Sequence, residues 1–323
     1  GLTEETVGAE IRSSLETVDL GTTPEGIPVE LDRHAWEADH IVLINRLKKH
    51  TDFMGEFESG LMKIMGIGLG KISGAEVYHT AMMNLGASPV IKAVGRHVMS
   101  RANILMGLGT IENGYGDVAD IGIFGAQDIE AGEKDLLGQS KAISPSLPVD
   151  AADIILIDEI GKEISGAGFD TRVVGRIRLP GTPEPEKPDI TRIILSDLTE
   201  ISHGNACGFG LADIITARLA GKVDQETTDI NTIVSMALEM GKTPLTMPSD
   251  KEALGLAVRC IGMVPPEDAR IIRIKNTLCL EEVDLSAAFL PQIQSDPGLE
   301  IISGPRPFAF DADGYLTPFF DEN

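Results

Sequence analysis

The sequence predicts an α/β protein built of two α/β domains with mainly parallel sheets. Three observations carry this. Short aliphatic runs alternate with longer helical patterns along the chain. The runs are near-continuous β-branched or leucine stretches, as expected of strands covered on both faces. The length of 323 residues exceeds that of one average domain.

The elements follow in order. The chain opens on a helix-start signal, Thr3 with Glu4 and Glu5 behind it. That is not how a domain begins, and an N-terminal part of the sheet is expected to be missing here or supplied separately. Residues 41–44, 104–108, 154–157, 193–195 and 271–274 read as strands. Residues 75–99, 129–141, 211–219, 230–240 and 250–261 read as helices. The stretch 179–190, LPGTPEPEKPDI, is rich in proline and reads as an extended connector. It divides the chain into domains 1–185 and 186–323. Residues 311–323 read as a loosely attached tail.

The net charge of −23 opposes a general nucleic-acid partner and an anionic membrane surface, since both would repel the protein at long range. Cys207, Cys260 and Cys279 have no CxxC spacing, so they give neither a disulfide framework nor a zinc signature. Sparse cysteine fits a reducing, cytoplasmic setting. No apolar run approaches the ~20 residues a membrane helix needs.

Ligands of parallel α/β sheets sit beyond the carboxyl ends of the strands. After 41–44 comes NRLKKHTDFMGEFESGLMKIMGIGLGK, which holds His50, Asp52, Glu56, Glu58, Ser59 and Lys63 before a glycine run. Ser59-Gly60 leads into a helix start, where backbone N–H groups favour an anion. Lys63 lies one turn on and can face the same ligand. The competing reading is a solvated charged loop. After 154–157 come Asp158, Glu159 and Lys162, then Ser165-Gly166-Ala167-Gly168, Arg172 and Arg176. Small residues admit a close ligand there, and arginines pair with carboxylates or phosphates. Charges pairing among themselves in a long turn explain that segment equally well. After 193–195 comes His203-Gly204-Asn205, then a small-residue helix start through Gly208 and Gly210. The recurrence of polar, glycine-rich segments after the strands points to a small acidic or phosphorylated ligand.

Of the six histidines, His50 and His79 flank the same loop and could meet there. Imidazoles titrate near neutral pH and suit an acid–base pair. His34 and His40 read as structural, and His97 as a surface residue of a helix. No HxxxH or HExxH spacing marks a metal site.

The segment GTTPEGIPVELDRHAWEADHIVLINRLKKHTDFMGEFESGLMK resembles the N-terminal domain of the nickel-dependent lactate racemase superfamily. The shared frame is Leu20-Gly21-Thr22, Gly26-Ile27-Pro28-Val29, Glu37-Ala38-Asp39, His50, Ser59-Gly60 and Lys63. DIILIDEIGKEISGAGFDTRVVGR and SHGNACGFGLAD resemble, more loosely, an uncharacterised branch of the same superfamily. The resemblance implies a two-domain α/β enzyme that racemises or epimerises a small 2-hydroxy acid. It implies a nickel-pincer nucleotide tethered to a lysine, with two histidines as acid and base and a hydride passed to and from the cofactor. His79 falls where the family has a catalytic histidine, and His50 matches the motif histidine. Ser59, Gly60, Lys63, Ser165, Gly166, Arg172, Gly204 and Asn205 are the residues expected to contact the cofactor or the anion. Lys92 and His97 lie in the region of the tethering lysine and the nickel-binding histidine. The chain departs from the family at IRSSLETVDLG, where Ser13 and Ser14 stand in the region of an Asn-His-Asp histidine. That departure keeps two alternatives open on the same scaffold without nickel: a lyase or dehydratase, or a protein that binds a nucleotide or organic anion.

Overall fold

A computed structural model of the chain describes residues 3–318. It divides into two compact units, Gly1–Ser144 and Pro145–Asn323. The expected boundary near 185 therefore falls inside the second unit. The proline-rich stretch 179–190 is part of the connection between two neighbouring strands of one sheet.

The first unit opens with α1 (Glu4–Val7), capped by Thr3 as its sequence predicts. A hairpin of β1 (Thr17–Thr22) and β2 (Pro28–Asp32) follows. After α2 (Arg33–Glu37) comes β3 (Ile41–Arg46). A long loop leads to α3 (Leu61–Lys63), a π-helical turn at Ile64–Gly68, α4 (Lys71–Leu85) and α5 (Ala87–Arg101). The expected single helix over 75–99 is two helices, because Gly86 has a positive φ of 83°. Such a φ breaks a right-handed helix at little cost only where no Cβ is present. The unit closes with β4 (Ile104–Glu112), β5 (Val118–Gly125) and α6 (Ile129–Ile143).

Its three-stranded sheet runs β3-β4-β5, with β3 parallel and β5 antiparallel to β4. This sheet is mixed rather than mainly parallel. The reason is local: Asn113 turns the chain back at once, its Oδ1 accepting from Tyr115 N and Asp117 N at 2.9 and 3.0 Å. Gly107 and Gly109 of β4 face the core, where a Cβ would crowd Leu61 and Leu47. Missing side chains on the strand thus let the helical layer sit close to the sheet.

The second unit carries a six-stranded sheet ordered β11-β10-β6-β7-β8-β9. The strands are β6 (Ala151–Ile157), β7 (Asp189–Leu195), β8 (Ile214–Thr216), β9 (Leu245–Met247), β10 (Ile271–Ile274) and β11 (Asp284–Leu285). All pair in parallel except the edge strand β11. The helices are α7 (Ala217–Lys222), α8 (Gln225–Val234), α9 (Asp250–Arg259) and α10 (Leu290–Ser295).

The segment 211–219, expected as one helix, is a 3-10 turn, a strand and the start of α7. Leu211, Ile215 and Leu219 do share one core, which is why their spacing imitates a helix face. Three different backbone conformations deliver them. The end of the chain also differs from expectation. Phe310 and Leu316 bridge, Leu316 is buried, and Tyr315 donates to Pro248 O at 2.9 Å. The tail is therefore seated as far as residue 318. Among the described residues no helix is long and apolar enough to cross a membrane.

Candidate functional site

The loop after β3 is held by a buried acid. Glu58 is fully buried and accepts from His50 N at 2.8 Å and Gly55 N at 3.1 Å. Its charge is met by Lys141 of α6 at 2.6 Å. A buried carboxylate with this many donors fixes the loop around it. Lys48 and Ser59 close the base of the loop through a two-way backbone pairing at 3.1 and 3.2 Å.

On this frame the histidine is oriented. His50 Nδ1 accepts from Asp52 N at 3.1 Å, and the ring stacks on Phe53 with centroids 4.2 Å apart. The Asp52 carboxylate lies 4.0 Å from the same nitrogen. Asp52 also acts electrostatically on Lys63. Burial pushes the Lys63 amine down to about 8, with Asp52 opposing the fall and Lys48 adding to it. His79 of α4 is half-buried, and burial together with the Lys63 cation lowers its pKa. Asp52 thus touches His50 and acts electrostatically on Lys63, which in turn acts on His79.

Two features at the root of this cluster differ from the sequence reading. The helix start at Ser59-Gly60 was expected to seat an external anion. The protein supplies its own acceptor there: Glu133 Oε2 accepts from Met62 N at 2.7 Å, and the Leu61 N–H also serves this carboxyl group. A Cβ at Gly60 would overlap the Glu133 carboxylate. The glycine run is likewise not an open cradle. Gly66, Gly70 and Gly74 pack their bare faces on the ring of buried Tyr78. The chain between them makes a wide turn, with Leu69 N donating to Ile64 O at 2.8 Å.

Lys92 and His97 sit elsewhere on α5. Lys92 pairs with Glu56 at 2.8 Å and Glu130 at 3.5 Å in a surface network. His97 Nε2 is 2.9 Å from Leu20 O and ties α5 to β1. In the second unit, the loops after β6 and β7 lie against each other. Ile160 and Leu198 bridge in parallel, and a Cβ on Gly208 would overlap Ala167 O. Ser165 and Gly166 belong to a tight turn, with Gly166 O accepting from Lys162 Nζ. Arg172 N donates to Asp170 Oδ1 at 2.8 Å. Gly204 O accepts from Asp224 N at 2.9 Å, and Asn205 Nδ2 donates to Asn231 at 3.3 Å. These two residues therefore anchor α8 rather than begin a helix.

Glu133 was missed by the sequence reading, as was the structural weight of Glu58. A signal existed for Glu133. It lies on the apolar face of its helix with Ile129, Leu136, Leu137 and Ser140. An acid at a core position asks for a buried partner.

Residues 4–88 match the profile of the lactate racemase N-terminal domain. No curated protein matches the chain. Among solved structures, the lactate racemase apoprotein from Thermoanaerobacterium thermosaccharolyticum is similar with a TM-score of 0.47 and 15% identity, over 83% of this chain and 69% of that one. A protein from Thermotoga maritima is similar with a TM-score of 0.46 and 11% identity, over 86% of this chain and 80% of that one. Residues 4–88, which hold His50, Lys63 and His79, are thus similar to the lactate racemase N-terminal domain.

Proposed function

We propose that the protein is an isomerase that racemises or epimerises a small 2-hydroxy acid. The observation that carries this is the electrostatic coupling of Lys63 and His79 inside the matched domain. An amine whose pKa is brought down to about 8 acts on an imidazole whose own pKa is lowered.

The cofactor that the superfamily implies, a nickel-pincer nucleotide tethered to a lysine, fits Lys63 better than Lys92. An amine must lose its proton to form a covalent bond, and burial favours that at Lys63. The Lys92 amine is engaged by two carboxylates, Glu56 and Glu130. Among the described residues no group of three or more His, Cys, Asp or Glu gathers as a metal cluster. A metal ligated chiefly by its own organic cofactor requires none. His79 is the histidine beside that amine, in the neutral form that proton abstraction and metal ligation both use. When bound, the cofactor supplies a hydride acceptor. His50, whose ring the Asp52 amide orients, would take the proton of the substrate hydroxyl. Lys48 at the loop base adds positive field for the substrate carboxylate.

Protein purified from its native host tests this. Peptide mapping should find an adduct on Lys63, nickel should co-purify, and a 2-hydroxy acid should lose its configuration. An adduct on Lys92, or nickel-free protein with no exchange at the substrate α-carbon, overturns the reading.

A second reading keeps the site without nickel, as a lyase, a dehydratase or an anion-binding protein. The observation that favours it is the stretch at Ser13 and Ser14, where the family's Asn-His-Asp histidine is absent. Nickel-free protein that eliminates water from a hydroxy acid would select the lyase.

A further inference from the structure

We propose that Glu133 is the positioning residue for Lys63: its buried carboxylate, delivered by α6, fixes the start of the helical segment that carries the amine. The proposal rests on reading Lys63 as the reactive amine of the site.

The geometry is specific. Lys63 closes the short helix α3, and the first two residues of that helix, Leu61 and Met62, donate their N–H groups to Glu133. The carbonyl of Gly60 is held from the other side by Asn45 Nδ2 at 2.9 Å. Gly60 leaves the space that the Glu133 carboxylate occupies. A helix start needs only a nearby acceptor, which a local Ser, Thr, Asp or Asn side chain ordinarily provides. Here Gly60 has no side chain, and the acceptor comes from a residue far along the chain.

The arrangement is costly as a piece of packing. Glu133 is fully buried, and its Oε1 has no hydrogen-bond partner among the described residues. An unsatisfied buried polar atom destabilises a fold. A glutamine would cap the same N–H groups without a buried charge, so packing alone gives no reason for a carboxylate. The cost falls at the root of the one segment that holds the buried amine. It is what a fold that trades stability for the placement of a reactive group would show.

The test reads Lys63 directly and needs neither cofactor nor substrate. The pH dependence of Lys63 acylation by trace acetic anhydride, read by peptide mapping, gives the pKa of the amine. Wild type and E133Q, which keeps an acceptor oxygen, should titrate together near 8. E133A and E133D, which withdraw the acceptor, should let the helix start loosen, readmit water to Lys63 and raise its pKa by about one unit or more. If E133A does not fold, E133D carries the comparison. Folded E133D or E133A with the wild-type Lys63 titration, whatever its melting temperature, overturns the proposal. So does an E133Q titration displaced as far as that of E133A. An adduct mapped to another lysine would sink the reading of Lys63 and leave this titration unchanged.

Discussion

Burial first, and then the Lys63 cation, lower the pKa of His79 below its ordinary value, although α3 and α4 are separated by a π-helical turn. Replacing Lys63 by Met removes the cation and should raise the His79 pKa, as read by the NMR titration of its ring protons. An unshifted His79 would separate the two side chains.

His79→Ala tests the acid–base role. It should lower turnover by ~10²–10⁴-fold, the usual range for a lost proton-transfer group. The melting temperature should stay near that of wild type, since the residue is half-buried on a helix. A lowered melting temperature with an unchanged rate would make His79 a packing residue.

Glu133 gives a pH dependence of stability. Burial lifts its folded pKa from 4.5 to about 7. A raised folded pKa means that the folded state binds the proton more tightly. The contribution is complete below 4.5 and lost as pH rises through about 7. The total is about 3 kcal/mol by linkage. E133Q should flatten this slope and be the more stable form at pH 8, as measured by urea unfolding at several pH values. A slope identical in both proteins would count against a buried, protonatable Glu133.

The seated tail makes a separate prediction. Leu316 belongs to the core on the α9 side of the second sheet, and its amide donates to Asp250 Oδ2 at 2.8 Å. Leu316→Ala should cost ~2–4 kcal/mol in denaturant unfolding, the range for a truncated core leucine. A cost within ~0.5 kcal/mol would mean that the tail is detached in solution.

The sequence by itself determined the α/β class, the strands at 41–44, 154–157, 193–195 and 271–274, and the loop where His50 and Lys63 stand, although the first of these strands is covered on one face only, with Val42 and Ile44 exposed. Continuous aliphatic runs and cap residues are local signals, so a local reading finds them. It also singled out His50, Lys63 and His79, because a charged loop past a strand end is visible in one dimension. Tertiary structure alone decided the rest. The helix start at Gly60 looked like a seat for an external anion, and only the approach of α6 showed that Glu133 fills it. The glycine run had no evident role in one dimension until the fold brought the Tyr78 ring onto Gly66, Gly70 and Gly74. Leu211, Ile215 and Leu219 kept a helical spacing although a strand passes through them. Lys63 was marked by its position but not by its lowered pKa, since an amine's pKa depends on burial and neighbouring charge. Those are set by residues distant in sequence, which periodicity and spacing do not encode.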